Sequence, residues 1–138
     1  MEFSFKIKIN AEKKKIWEYY SDIEKWYVWE KDLKNISLTG KFETGSEGIM
    51  ELEGMPPIKY SLISVTKNKE FWDKTDTPLG EIYFGHEIFE NGDNISIKHT
   101  VKLESDIVDE KRTEFLKEIF LDVPESMLLL KKVVENEK

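Results

Sequence analysis

Between Leu33 and Leu103, apolar side chains recur at every second position, and each run soon ends in a turn signal. Period two over short runs reads as strand. The predicted strands are Leu33–Phe42, Gly48–Gly54, Ile58–Lys67, Glu70–Thr75, Gly80–Phe89 and Asn94–Leu103. Between them lie Gly45-Ser46-Glu47, Gly54-Met55-Pro56-Pro57, Lys67-Asn68-Lys69, Thr77-Pro78 and Asn91-Gly92, all of which favour turns. A parallel pair needs a long crossover, so connections this short make consecutive strands antiparallel neighbours. This part of the chain is expected to be a meander.

The flanks read differently. Phe3, Phe5, Ile7 and Ile9 alternate with polar residues and predict one more strand. Asn10 is the expected N-cap of a helix over Ala11–Tyr20, with Ile16 and Tyr20 on one face. Ser21-Asp22 ends it, and Asp22 is placed to cap a second short helix from Ile23 to about Trp29. From Asp109 to about Asn136, Phe115, Ile119, Val123, Met127, Leu130 and Val134 form one helical stripe. Pro124 interrupts it, and Asp122 with Glu125 three residues on resembles a capping pattern. A kink, or two helices meeting end to end, is expected there. The class is therefore α+β: about seven antiparallel strands, two short helices between the first and second, and a long C-terminal helix. A highly curved sheet needs its concave face covered, and only that helix is long enough.

Composition removes several functions. The 138 residues have the size of one domain, spanning 1–138. With no cysteine, disulfides, zinc thiolates and thiol catalysis are excluded. A net charge of −7, from 28 acidic and 21 basic residues, disfavours a nucleic-acid partner. No run approaches the ~20 apolar residues of a membrane span, so no integral membrane segment is expected. The opening MEFSFKIKIN lacks the apolar run of a signal peptide, which points to a cytoplasmic protein. No glycine-rich phosphate loop is present, and no cofactor is expected.

Taken together, Ile16-Trp17, Asp22, the W-Y-V-W of Trp26–Trp29, Gly45, Gly48, the GMPPIKYSLISV of Gly54–Val65, the hairpin from Gly85 to Ser105 and the final helix are similar to the START/Bet v 1-like superfamily. The likeness covers nearly the whole chain, as a pattern of elements rather than as one motif. It implies a helix-grip fold with a deep, largely apolar cavity between sheet and helix, holding a hydrophobic or amphipathic small molecule. Other members are polyketide cyclase/dehydratase-like enzymes or Hsp90 co-chaperone-like interaction modules, and these are the alternatives. The superfamily offers no universal catalytic residue, so an enzyme is the less favoured expectation.

Within that frame the stretch WEYYSDIEKWYVWEKDL, with three of the four tryptophans, becomes two short helices closing the end of the grip. Trp17, Tyr20 and Trp26 are expected to pack, and Trp29 to reach the cavity mouth. In the last hairpin, an Asn91-Gly92 loop pairs Ile88 with Ile95, His86 with Ile97 and Phe84 with His99. Ile82, Phe84, His86 and Ile88 then share the inner face with Ile95, Ile97, His99, Val101 and Leu103, while Lys98, Thr100, Lys102 and Glu104 face solvent. Both histidines of the chain thus lie inside, as diagonal neighbours roughly 7–8 Å apart at Cα. They can contact a ligand, act as acid and base, or simply satisfy each other, a tyrosine or a water. No third ligand accompanies them, so no metal site is expected. Met50 and Leu52 point inward opposite Glu51 and Glu53, and Tyr60 and Leu62 are preferred over Ile63 and Val65. If Phe71 is inward, so is Asp73, and alternation alone leaves that open. Ile119, Val123 and Met127 complete the expected ligand wall of Trp29, Met50, Leu52, Tyr60, Phe84, His86, Ile97 and His99.

Overall fold

The computed structural model describes residues 1–137. The chain starts with β1 (Glu2–Ile9), then α1 (Lys13–Ser21), a 3-10 turn (Ile23–Lys25) and α2 (Trp26–Trp29). Six strands follow: β2 (Leu33–Thr39), β3 (Glu47–Leu52), β4 (Ile58–Thr66), β5 (Glu70–Thr77), β6 (Gly80–Asn91) and β7 (Asn94–Glu104). The chain closes with α3 (Glu110–Phe120) and α4 (Val123–Asn136).

The strands form one antiparallel sheet in the order β1-β7-β6-β5-β4-β3-β2. Each strand from β2 to β7 pairs with its neighbour in sequence, as short connections require. Strands β1 and β2 are the two edges, so α1 and α2 carry the chain from one edge of the sheet to the other. The expected α+β helix-grip architecture is the one observed.

Several local readings change. Asn10 does not cap α1; its backbone N–H donates to Glu135 Oε2 at 2.6 Å, and the helix begins after Glu12, whose side chain makes no cap bond. Asp22 does cap the next turn, accepting from the Glu24 N–H at 3.0 Å. Of the two outcomes expected at Pro124, the structure has two helices meeting end to end. Pro124 has no N–H to continue α3 and is tolerated in the first turn of α4. The Asp122–Glu125 capping pattern does not form, because the Asp122 side chain makes no cap bond. Asp109 does cap α3, accepting from the Arg112 N–H at 2.9 Å.

The last hairpin turns one residue later than the Asn91-Gly92 loop implies. Asn91 pairs with Asn94, Ile88 with Ile97, and His86 with His99. The loop is Gly92-Asp93, with Gly92 at φ +65° in the first central position that a II′ hairpin reserves for glycine. Each residue still faces the side expected, because its new partner lies two positions along and side chains alternate. The histidines become directly opposed instead of diagonal. Thr100 is the exception to the split between inner and outer faces. It lies on the outer face yet is buried, paired with Gly85, over which the Trp72 ring lies so closely that a Cβ there would meet it at 2.4 Å.

Two apolar clusters fill the concave side. The larger joins the α1–α2 rings to Tyr60, Leu62, Phe71 and Ile97 of the sheet and to Met127, Leu130 and Val134 of α4. The smaller joins Ile82, Val101 and Leu103 to Leu116 of α3. Val123, at the α3–α4 junction, packs against both.

Candidate functional site

The helix break opens a cavity of about 430 Å³ between the sheet and the α3–α4 junction. Its walls are mainly apolar: Met50 and Leu52 of β3, Ile82 and Phe84 of β6, and Phe115, Ile119 and Val123 from the helices. His86, His99 and Thr75 contribute polar atoms, and Glu30, Asp32, Glu53, Glu118, Asp122 and Glu125 also border the cavity.

Of the residues predicted to meet a ligand, Met50, Leu52, Phe84, His86, His99, Ile119 and Val123 line this space. Trp29, Tyr60, Ile97 and Met127 do not; all four are sealed into the core. The reasons are local. Trp29 turns its indole N–H to the Tyr19 carbonyl at 3.3 Å, and Trp26 does the same to Tyr20 at 2.9 Å. Those carbonyls belong to the last turn of α1, which has no intrahelical donors left for them. The tryptophans of α2 thus close the end of α1, and Trp29 stops short of the cavity. Tyr60 donates its hydroxyl to the Ser37 carbonyl at 2.9 Å, over Gly48, where a Cβ would lie 2.1 Å from that oxygen. Ile97 and Met127 meet the aromatic cluster rather than open space.

The two histidines form the floor. Their ring centroids are 4.7 Å apart, and His86 stacks on Phe71 at 3.9 Å. His99 Nε2 lies 2.7 Å from the Tyr20 hydroxyl, and His86 Nδ1 lies 3.4 Å from the Phe71 carbonyl. Burial pushes His86 down to about 3 against the pull of the Phe71 carbonyl. Burial and then the neighbouring His86 hold His99 well below its ordinary value. Both rings are therefore neutral near pH 7. A neutral His99 whose Nδ1 carries the proton accepts the Tyr20 O–H at Nε2. A neutral His86 that donates Nδ1–H to Phe71 keeps Nε2 as an acceptor.

Phe71 is inward, so Asp73 and Thr75 are inward too. Asp73 is 3% exposed, between Leu62 and Phe84 of the adjoining strands. Burial, then the nearby Glu30, raises its carboxyl well above the ordinary range. Burial, then Asp32 and Asp122, raises Glu30 to about 7. Thr75 is 8% exposed, and its Oγ1 has no hydrogen-bond partner among the described residues. Strand parity could have found Asp73 and Thr75 once Phe71 was fixed inward. Glu30 carried no signal, because it follows a one-turn helix in a turn that sequence period cannot orient. No group of three or more metal-ligating side chains occurs among the described residues. No described helix is long and apolar enough to cross a membrane.

No family model and no curated protein matches the chain by sequence. Solved structures do match in fold. The chain is similar to protein MLL2253 from Mesorhizobium loti, at 8% identity and TM-score 0.80, over 100% of this chain and 99% of that one. It is similar to the Aha1 dimer from Colwellia psychrerythraea, at 15% identity and TM-score 0.75, over 100% and 98%. It is also similar to Ara h 8.0201, at 8% identity and TM-score 0.74, over 99% of each chain. With an antiparallel sheet gripping a C-terminal helix pair, the chain has the START/Bet v 1-like helix-grip fold.

Proposed function

We propose that this protein binds a hydrophobic or amphipathic small molecule in the cavity between its sheet and the α3–α4 junction. The observation that carries the reading is the cavity itself. It has about 430 Å³ walled by Met50, Leu52, Ile82, Phe84, Phe115 and Ile119, with a few polar atoms to orient what enters. Well-packed interiors leave few voids larger than a water, so an apolar space this size is a binding feature rather than ordinary core. The Thr75 hydroxyl supports it, since a buried hydroxyl without a partner is costly until something supplies one. His86 and His99 serve as neutral hydrogen-bonding groups of the wall rather than as an acid–base pair.

Native mass spectrometry of protein purified gently from cells tests the proposal. The expected result is a mass increment that organic extraction removes and that identifies as an apolar or amphipathic molecule. Protein that carries none, and takes up no apolar probe, would overturn it.

A further inference from the structure

We infer that the ligand is an organic cation, an amine on an apolar body, whose charged head sits at the mouth among Glu30, Asp32 and Asp122. This inference rests on the cavity being a ligand site and names the chemistry of what it takes.

The charge around the opening is one-sided. Three segments converge on it: the turn after α2 brings Glu30 and Asp32, the end of β3 brings Glu53, and the α3–α4 junction brings Glu118, Asp122 and Glu125. Among the described residues, the one lysine or arginine bordering the cavity, Lys31, is already paired, with Nζ 2.5 Å from Glu125 Oε1. Asp32 and Asp122 are close enough to raise the Asp122 carboxyl, after burial and against the pull of Lys31. A row of carboxyl groups therefore runs inward from Asp122 at the rim through Glu30 to Asp73, and among the described residues none of the three makes a salt bridge. An anionic headgroup would meet the like charge of the ionised rim carboxylates, and a neutral one would leave them unpaired. An ammonium group answers both deficits.

A second, independent sign lies inside. Thr75 is more than nine-tenths buried, lines the same cavity, and has an unpartnered Oγ1. The pocket therefore offers an unpaired hydroxyl to a ligand atom inside a mainly apolar wall.

The groups facing Glu30 are Lys31 and Asp32 beside it, Asp73 from the sheet, and Asp122 and Glu125 from the helix junction. In the free protein Glu30 holds its proton up to about pH 7. A cation docked against it favours the ionised form and expels that proton. Cation binding is thus tied to proton release, which a purely apolar ligand does not cause.

Isothermal titration calorimetry with n-octylammonium, 1-octanol and octanoate, near pH 6.5 in two buffers of different ionisation enthalpy, tests this. The expected result is that octylammonium binds at least about tenfold more tightly than octanol, since a single close ion pair at effective dielectric ~20 is worth more than that factor. Octanoate is expected to be the weakest, and only the ammonium to release protons. In Glu30→Gln the ammonium-to-octanol ratio should fall toward one, and in the exposed-rim variant Asp122→Asn it should fall part of the way. Octanol binding as well as octylammonium, or octanoate binding best, would overturn the inference and leave the cavity reading standing. Failure of all three to bind would overturn both.

Discussion

At the scale of single residues, the inner face holds polar groups that are neutral because they are buried. Tyr20 is one: its hydroxyl lies against His99 Nε2, and both groups are deep in the core. Tyr20→Phe leaves the imidazole acceptor without a partner. We expect a loss of about 1–3 kcal/mol in urea-induced unfolding, the usual cost of orphaning a buried polar group. Glu30 offers a pH test. Its folded value of about 7 lies above the unfolded value of about 4.3, so the native state holds an extra proton between them. Its contribution is intact below pH ~4.3 and is lost as pH rises through ~7. The stability of Glu30→Gln relative to wild type should therefore increase across that window, by at most about 1.4 kcal/mol per pH unit, and level off above it. The depressed histidines work in the opposite sense at lower pH, but they are present in both proteins and cancel in the difference. A flat difference across the window would show that Glu30 titrates normally. Sequence period placed His86 and His99 on the inner face, because a slip of one whole pair preserves parity. It could not orient Glu30, which sits outside any period.

Among elements, the cluster of rings between Trp17 and Trp29 is explained by one helix end. The indole N–H groups of Trp26 and Trp29 donate to the Tyr20 and Tyr19 carbonyls that α1 leaves open. Trp26→Phe keeps the bulk of a ring and removes one of these donors. A loss of about 1–3 kcal/mol is expected by denaturant titration, and a variant as stable as wild type would mean another donor replaces the indole. In the sheet, Gly48 lets β2 and Tyr60 approach closely. A methyl group there meets the Ser37 carbonyl at 2.1 Å and the Tyr60 hydroxyl at 2.6 Å. We expect Gly48→Ala to cost about 1–3 kcal/mol through overpacking. The strands and their order were legible because alternation and short turns leave few other arrangements. The start of α1 was not, because the helix begins after Glu12, two residues past Asn10, and apolar period does not fix which residue precedes the first turn. Trp29 was misplaced for a similar reason. Hydrophobicity says that an indole is buried but not which carbonyl its N–H will find.

For the whole molecule, the division of the C-terminal segment into two helices matters most. Pro124 divides the C-terminal segment, so α4 packs on the aromatic cluster while α3 packs on the opposite end of the sheet, and the space between them stays open. The sequence showed the break but not that a cavity would lie under it, because an apolar stripe looks the same whether it meets side chains or space. The central claim is that this space receives an apolar ligand. The direct measurement is a fluorescence titration with the uncharged probe N-phenyl-1-naphthylamine, on wild type and on Ile119→Trp, whose larger ring projects into the cavity. We expect saturable one-to-one binding to wild type, displaced by octanol, and binding at least about tenfold weaker to the filled variant, a difference of about 1.4 kcal/mol. No saturable binding, or equal binding by both proteins, would contradict it.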